Sequence, residues 1–325
     1  MKATPICDLL GIRYPVLQAP TGSIAGPDLA AAVSRAGGLG SMGITWHTEE
    51  NAVAEIRLIQ AQTSAPFFVN YALAFTPQTL PAVLETGIRV LTFSWGDPAP
   101  HFPLVRSFGV TVGVQVTNRV GARKMCDLGA DFLVCQGVEA GGHVQANRSL
   151  WEVLPEVLEA AGETPVVVAG GISDGKSMVR ALQLGAQGVQ LGTRFVASVE
   201  SRAHTVYKEA LCHASAKETA LTVCFDGGWG YTTQRVLRNS TLEAWEGAGS
   251  PPVNARPGEG EEIALTATGI PIFRYEDTAA RQGMTGNIEA MCLYAGESCE
   301  TIREILSAEE SLLRLIEECE LEGFV

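Results

Sequence analysis

Between residues 14 and 213 this chain repeats one unit: a short apolar run, a turn rich in Gly or Pro, an amphipathic helical stretch, and a Gly that leads into the next run. The runs fall at 14–20, 38–44, 67–73, 88–96, 111–116, 132–137, 165–171 and 188–195. They are short, rich in β-branched residues and apolar on both faces, as parallel strands covered from both sides must be. Helical patterns fit between them at 27–36, 48–62, 76–86, 119–128, 150–161, 175–184 and 202–213. Gly37, Gly87, Gly109, Gly129 and Gly185 each precede a strand, where a left-handed residue ends the helix before it. Alternation of this kind closes into a parallel α/β barrel, the (β/α)8 or TIM barrel. An open doubly wound sheet is the competing arrangement. Its dinucleotide signal, G-x-G-x-x-G after the first strand, is missing from Pro20-Thr21-Gly22-Ser23-Ile24-Ala25-Gly26.

A barrel of this length places its division near residue 215. Residues 1–215 are expected to form the barrel, and 216–325 a smaller C-terminal segment packed over its mouth. The stretch 247–260, dense in Gly, Pro and Glu, reads as a flexible connector. The acidic run from Glu309 to Glu322 alternates with Leu and Ile, and reads as the solvated face of a last helix.

The charge of −13, from 36 acidic and 23 basic residues, repels phosphate backbones, so nucleic acid is not an expected partner. None of the eight cysteines falls in C-x2-C spacing, which leaves structural zinc and redox dithiols without support; no metal site is expected. The first residues lead toward a strand without the apolar core of a signal peptide, and no apolar run is long enough to span a bilayer. A cytoplasmic protein with reduced thiols is the expectation, with a homodimer as the candidate assembly.

Chemistry is expected where the strands end. Gly170-Gly171-Ile172 follows the seventh strand and Gly192-Thr193-Arg194 the eighth. In barrels this pair of loops often holds a phosphate on backbone N–H groups, with Gly allowing close approach. Gln136-Gly137-Val138-Glu139-Ala140-Gly141-Gly142-His143 ends the sixth strand, and its glycines let a tight loop present His143 at the catalytic face. Glu139 is a weaker acid–base candidate, since a Glu beside turn glycines also serves by binding backbone N–H groups. Asn70 and Gln115, at or near the ends of strands three and five, offer donor and acceptor to the polar edge of a flavin, or else satisfy neighbouring loops. His47, His101, His204 and His213 lack such context and read as surface or helix residues.

These motifs, with Gln18-Ala19-Pro20, Ala36-Gly37-Gly38-Leu39-Gly40 and Gly192-Thr193-Arg194-Phe195, resemble the nitronate monooxygenases, formerly called 2-nitropropane dioxygenases. The likeness runs over about residues 10–215 and resumes near Gly283-Met284-Thr285-Gly286 and Tyr294-Ala295-Gly296. It implies a barrel that binds FMN without a covalent link. The implied phosphate site is Gly170, Gly171, Gly192 and Thr193, and Ala19, Pro20 and Thr21 are the implied first-strand contacts. Asn70, Gln115, Gln136, Gly141 and Gly142 complete the expected cofactor surface. His143 is implied as catalytic base or as partner to an anionic substrate. The expected reaction takes an alkyl nitronate and O2 to a carbonyl compound and nitrite. The chain departs from the family pattern at Thr21 (often Met), Gln145 (often Gly) and Glu297 (often Gln), and Glu297 would bring a carboxylate toward the site. The same barrel and histidine block occur in FMN-dependent enoyl-ACP reductases and NADH:quinone reductases, so NAD(P)H-dependent reduction is the alternative.

Overall fold

The computed structural model describes residues 3–230 and 232–323. Eight parallel strands form its centre: β1 (Val16–Gln18), β2 (Gly40–Gly43), β3 (Phe67–Ala72), β4 (Val90–Ser94), β5 (Thr111–Val116), β6 (Phe132–Gln136), β7 (Val166–Ala169) and β8 (Gly188–Leu191). Each pairs with the next, and β8 pairs with β1. The ring closes between β1 and β2 by two backbone hydrogen bonds, Gln18 N–H to Leu39 O at 2.9 Å and Leu39 N–H to Val16 O at 3.0 Å. The protein is a (β/α)8 barrel. Several strands stop short of their apolar runs because the chain turns into loops at the catalytic face. After β8 it turns at once into a short helix, Thr193–Val196.

Side chains fill the barrel interior. Leu17, Leu39, Phe68, Val90, Phe132, Val134, Val167 and Ala169 form one buried cluster. Gly113 on β5 is needed there: a Cβ would lie 2.2 Å from the Phe132 ring. Ile6, Cys7 and Leu10 join the same cluster from a helix, α1 (Pro5–Leu10). The N-terminal residues therefore do not run directly into a strand. Pro5 starts the helix, Gly11 ends it in the left-handed region at φ 66°, and the Thr4 hydroxyl donates to the Gln187 carbonyl just before β8. This helix plugs the end of the barrel opposite the catalytic face.

Helices α2 (Pro27–Arg35), α3 (Glu49–Gln62), α4 (Leu80–Glu85), α5 (Phe102–Ser107), α6 (Arg119–Leu128), α7 (Leu150–Ala161) and α8 (Gly175–Gln183) follow β1 to β7 in turn. The sequence pattern did not show α5, which is short and buries only Phe102 and Val105. The eighth place in the helix layer goes to the last helix, Ala308–Leu321, which was expected in the C-terminal segment. Its stripe of Leu312, Leu315, Ile316 and Cys319 enters the main core, where it packs on α2 and α8. The fit beside α8 is close: a Cβ on Gly175 would lie 2.4 Å from the Glu318 carbonyl carbon, and the Gly175 N–H donates to Glu318 Oε2 at 2.8 Å. The helix Thr205–His213, expected in the barrel, lies instead in a second core. Its Tyr207 and Leu211 pack there with Leu237, Met284, Met291 and Leu293.

Between these two helices the chain builds the second core and two small antiparallel sheets. In one of them β9 (Thr219–Thr222) pairs with β10 (Gln234–Leu237), and β10 pairs in turn with the two-residue strand Gly142–His143. The insertion is thus joined to the loop after β6. The stretch 247–260 carries no strand beyond the helix that ends at Gly247, and it is tied down by Arg256, which donates to Cys224 O at 3.2 Å and Asp226 Oδ1 at 2.8 Å. All eight cysteines are unpaired. No described helix is long and apolar enough to cross a membrane.

Candidate active site

The strand ends open into one cavity of about 530 Å³, on the face where barrels of this type carry their active sites. That volume lies within the range of small-molecule sites. Ala19, Pro20 and Thr21 reach it from β1, Asn70 from β3 and Gln115 from β5. Gln136, Gly141, Gly142 and His143 come from β6 and its loop, Gly170 and Gly171 follow β7, and Gly192 and Thr193 follow β8. His143 and every cofactor-surface residue expected from the sequence line this cavity, whereas the weaker candidate Glu139 does not.

Gly170 and Gly171 have φ of 96° and 70°, a conformation open to glycine at little cost. A Cβ on Gly170 would lie 2.8 Å from the Ala140 amide nitrogen, so the loops after β6 and β7 meet here without room for a side chain. Gly192 differs. Its φ is −101°, and a Cβ there would make only ordinary contacts, 3.6 Å from Ala19 Cβ and Thr21 Cγ2. Thr193 opens the turn Thr193–Val196, and its hydroxyl accepts from the Gly296 N–H at 2.9 Å.

The amides hold one another as well as facing the cavity. Asn70 Nδ2 donates to Thr92 Oγ1 at 2.9 Å and its Oδ1 accepts from Ser94 at 3.4 Å. Gln136 Oε1 accepts from the Gln145 N–H at 2.9 Å, and Gln115 Nε2 donates to Gln145 Oε1 at 2.9 Å. Gln145, one of the departures from the family pattern, is thus the link between two cavity amides.

Among the described residues, two buried polar atoms of cavity-lining side chains have no hydrogen-bond partner: Thr21 Oγ1 and His143 Nε2. Leaving such atoms unpaired costs about 1–3 kcal/mol each. His143 is fixed by its strand pairing opposite Gln234. Its ring lies 4.5 Å from Trp229 and 5.6 Å from Tyr294. Burial lowers its pKa to about 4, so the imidazole is neutral at pH 7. Asp277 Oδ2 is 3.9 Å from Nε2, beyond hydrogen-bond reach, and burial raises the Asp277 carboxyl, with Glu276 and Asp226 adding to the rise.

The two other carboxylates considered from the sequence point elsewhere. Glu139 accepts from Ser149 Oγ at 2.5 Å and the Leu150 N–H at 3.0 Å, which caps α7. Glu297 pairs with Arg235 Nη1 at 3.2 Å and is not on the cavity wall. His47 pairs with Glu55, and His204 caps the helix that follows it. Sequence reasoning missed Trp46, Phe75, Trp95, Trp229 and Asp277, all on the wall. Three of these sit just past strand ends, where a tryptophan or phenylalanine was visible. Asp277 comes from the insertion and had no local signal.

The nitronate monooxygenase family model matches residues 3–318. A nitronate monooxygenase of Pseudomonas aeruginosa is 34% identical, over 95% of this chain and 97% of its own. The solved structure of FabK from Thermotoga maritima superposes with a TM-score of 0.82 at 30% identity, covering all of both chains. A nitroalkane oxidase of Streptomyces ansochromogenes superposes with a TM-score of 0.78 at 28% identity, covering 98% of each chain. With a match across the barrel, the insertion and most of the last helix, the chain belongs to the nitronate monooxygenase family, a family of flavin-dependent oxidoreductases.

Proposed function

We propose that this protein oxidises alkyl nitronates with FMN and O2, giving a carbonyl compound and nitrite. The observation that carries the reading is His143 in the cavity wall, neutral and buried, with Nε2 unpartnered among the described residues. FMN, when bound, supplies the electron-accepting chemistry. The residues present suit it. Gly170, Gly171, Gly192 and Thr193 would take the phosphate on backbone groups, and the cavity wall has no Lys or Arg among its described residues to do so instead. Thr21 and the amides of Gln115, Gln136 and Asn70 would face the polar parts of the ring system.

His143 then acts on the substrate. A nitronate in the cavity brings its negative charge near the His143 ring, and this favours a proton on Nε2. The imidazole can then donate to a nitro oxygen. With a neutral nitroalkane the same nitrogen accepts the α-proton. Asp277, when ionised, stabilises the imidazolium in either case.

Anaerobic mixing with propyl-2-nitronate is expected to bleach the flavin absorbance, while NADH and NADPH leave it unchanged. The charge of −13 argues against an acidic carrier protein as partner. Bleaching by NAD(P)H alone would assign the site to reduction of an enoyl thioester or quinone. The flavin released on denaturation should be FMN; FAD or a colourless protein would refute the cofactor.

Gly192→Leu is expected to weaken FMN binding by about fivefold or more, since overfilling a packed site costs about 1–3 kcal/mol. The backbone there accepts a side chain without strain, so the barrel should fold. Flavin fluorescence titration reads the affinity, and an unchanged value would place the phosphate elsewhere.

A further inference from the structure

Three successive loops at the catalytic face each put an aromatic ring on the cavity wall. Trp46 follows β2, Phe75 follows β3 and Trp95 follows β4 directly. Trp229, from the glycine-rich loop of the insertion, meets all three. Ring centroids are 6.2 Å to Trp46, 5.1 Å to Phe75 and 4.8 Å to Trp95, with tilts of 62–74°. Trp229 also lies against His143, with ring centroids 4.5 Å apart.

Packing of the insertion alone does not account for this arrangement. Trp46 is 58% exposed, so most of a large apolar surface stays in water at the rim. Trp95 has φ +60°, the left-handed region, which costs a bulky residue free energy and persists where surroundings hold it. The lining is also short of charge. It holds no Lys or Arg among the described residues, and Asp277 is its one acidic group. A substituent with a second negative charge would find nothing to pair with. A flat apolar one would find ring faces and edges.

We propose that Trp46, Phe75, Trp95 and Trp229 form an aromatic subsite beside His143 that receives a planar, uncharged substituent of the substrate, so that aryl-substituted nitronates are preferred over small aliphatic ones. This rests on the nitronate reading above. The physical basis is edge and face contact between rings, which adds to the burial of apolar area.

The test uses the flavin-loaded protein in two arms. The kinetic arm compares kcat/KM for the nitronates of phenylnitromethane and nitroethane. The parent should favour the phenyl compound by about tenfold, the upper size of one aromatic pair. Trp46→Ala and Phe75→Leu should each lower that ratio severalfold, the second while keeping apolar bulk. The binding arm needs no turnover. Nitrobenzene and 2-methyl-2-nitropropane both lack an α-proton, and calorimetric titration should show nitrobenzene binding more tightly to the parent, with the gap narrowed in both variants. Flavin absorbance at the parent's ratio to protein reports that each variant is folded. A parent with equal kcat/KM for the two nitronates, or variants that keep the parent's ratio, would overturn the subsite and leave the rings as packing. If the parent turns over neither nitronate, the oxidation reading fails separately. Equal binding of the two inert probes would then overturn the subsite as well, and tighter nitrobenzene binding lost in the variants would uphold it.

Discussion

His143→Ala is expected to keep its FMN and lose about 10²–10⁴-fold in kcat/KM for nitronates, the usual contribution of a positioned acid–base group. Retention of flavin follows from where the other groups stand. The glycines assigned to the phosphate lie after β7 and β8, and Thr21 lies after β1. None of them is held by the imidazole. The strand carrying His143 is held by backbone pairing to β10 and by Arg235, which donates to Val138 O at 3.0 Å. Removing the side chain should therefore leave the loop in place. Loss of turnover follows from the ring, which lines the cavity and whose Nε2 has no hydrogen-bond partner among the described residues. His143→Gln separates two functions of the ring. It can still donate a hydrogen bond, so an activity loss much smaller than that of Ala would assign His143 to binding the nitro group. A loss equal to that of Ala would assign it to moving a proton. Unchanged kinetics in both variants, with a parent that turns over nitronates, would make the histidine structural.

The sequence showed the barrel because its signals are local. Each strand is a short apolar run and most helices end at a Gly, so the unit can be read within about twenty-five residues. The same holds for Gly170, Gly171, Gly192 and His143, which sit on loops that directly continue strands. What was hidden depends on contacts far apart in the chain. The last helix has an ordinary amphipathic pattern, and nothing in Leu312 or Ile316 says that the apolar stripe fits between α2 and α8. Asp277 reaches His143 across more than a hundred residues of chain. Glu139 and Glu297 show the opposite case. Both were legible as carboxylates near the site, but their direction is set by Leu150 and Arg235, which composition and spacing do not place. The tryptophans were legible one at a time. Their grouping appears only once the insertion brings Trp229 over the barrel mouth.

A second large effect concerns stability in acid. Relative to the parent, His143→Gln should gain about 3 kcal/mol of folding stability between pH 7 and pH 4. In the unfolded chain the imidazole titrates at its ordinary value of 6.5, and burial brings it to about 4 in the folded protein. Between those values the unfolded chain binds the extra proton and the folded chain does not. Acid therefore favours unfolding, and stability rises with pH across this window. At about 1.4 kcal/mol per pKa unit, the separation between those values gives the stated size. The side chain is only 16% exposed, so solvent screening removes little of it. Asp277 works in the opposite sense, because its carboxyl is raised by burial and the cost of its charge is relieved as pH falls. The parent's own acid curve mixes the two, whereas the difference between parent and His143→Gln removes what they share. Urea unfolding at a single fixed FMN concentration, run at pH 7 and pH 4, gives that difference. The Asp277→Asn background should show it too, enlarged where ionised Asp277 had been stabilising the imidazolium. A gap that stays constant from pH 7 to pH 4 would mean that the ring takes up its proton equally well in both states, and that Nε2 is not the dry, unpartnered atom on which the catalytic assignment rests.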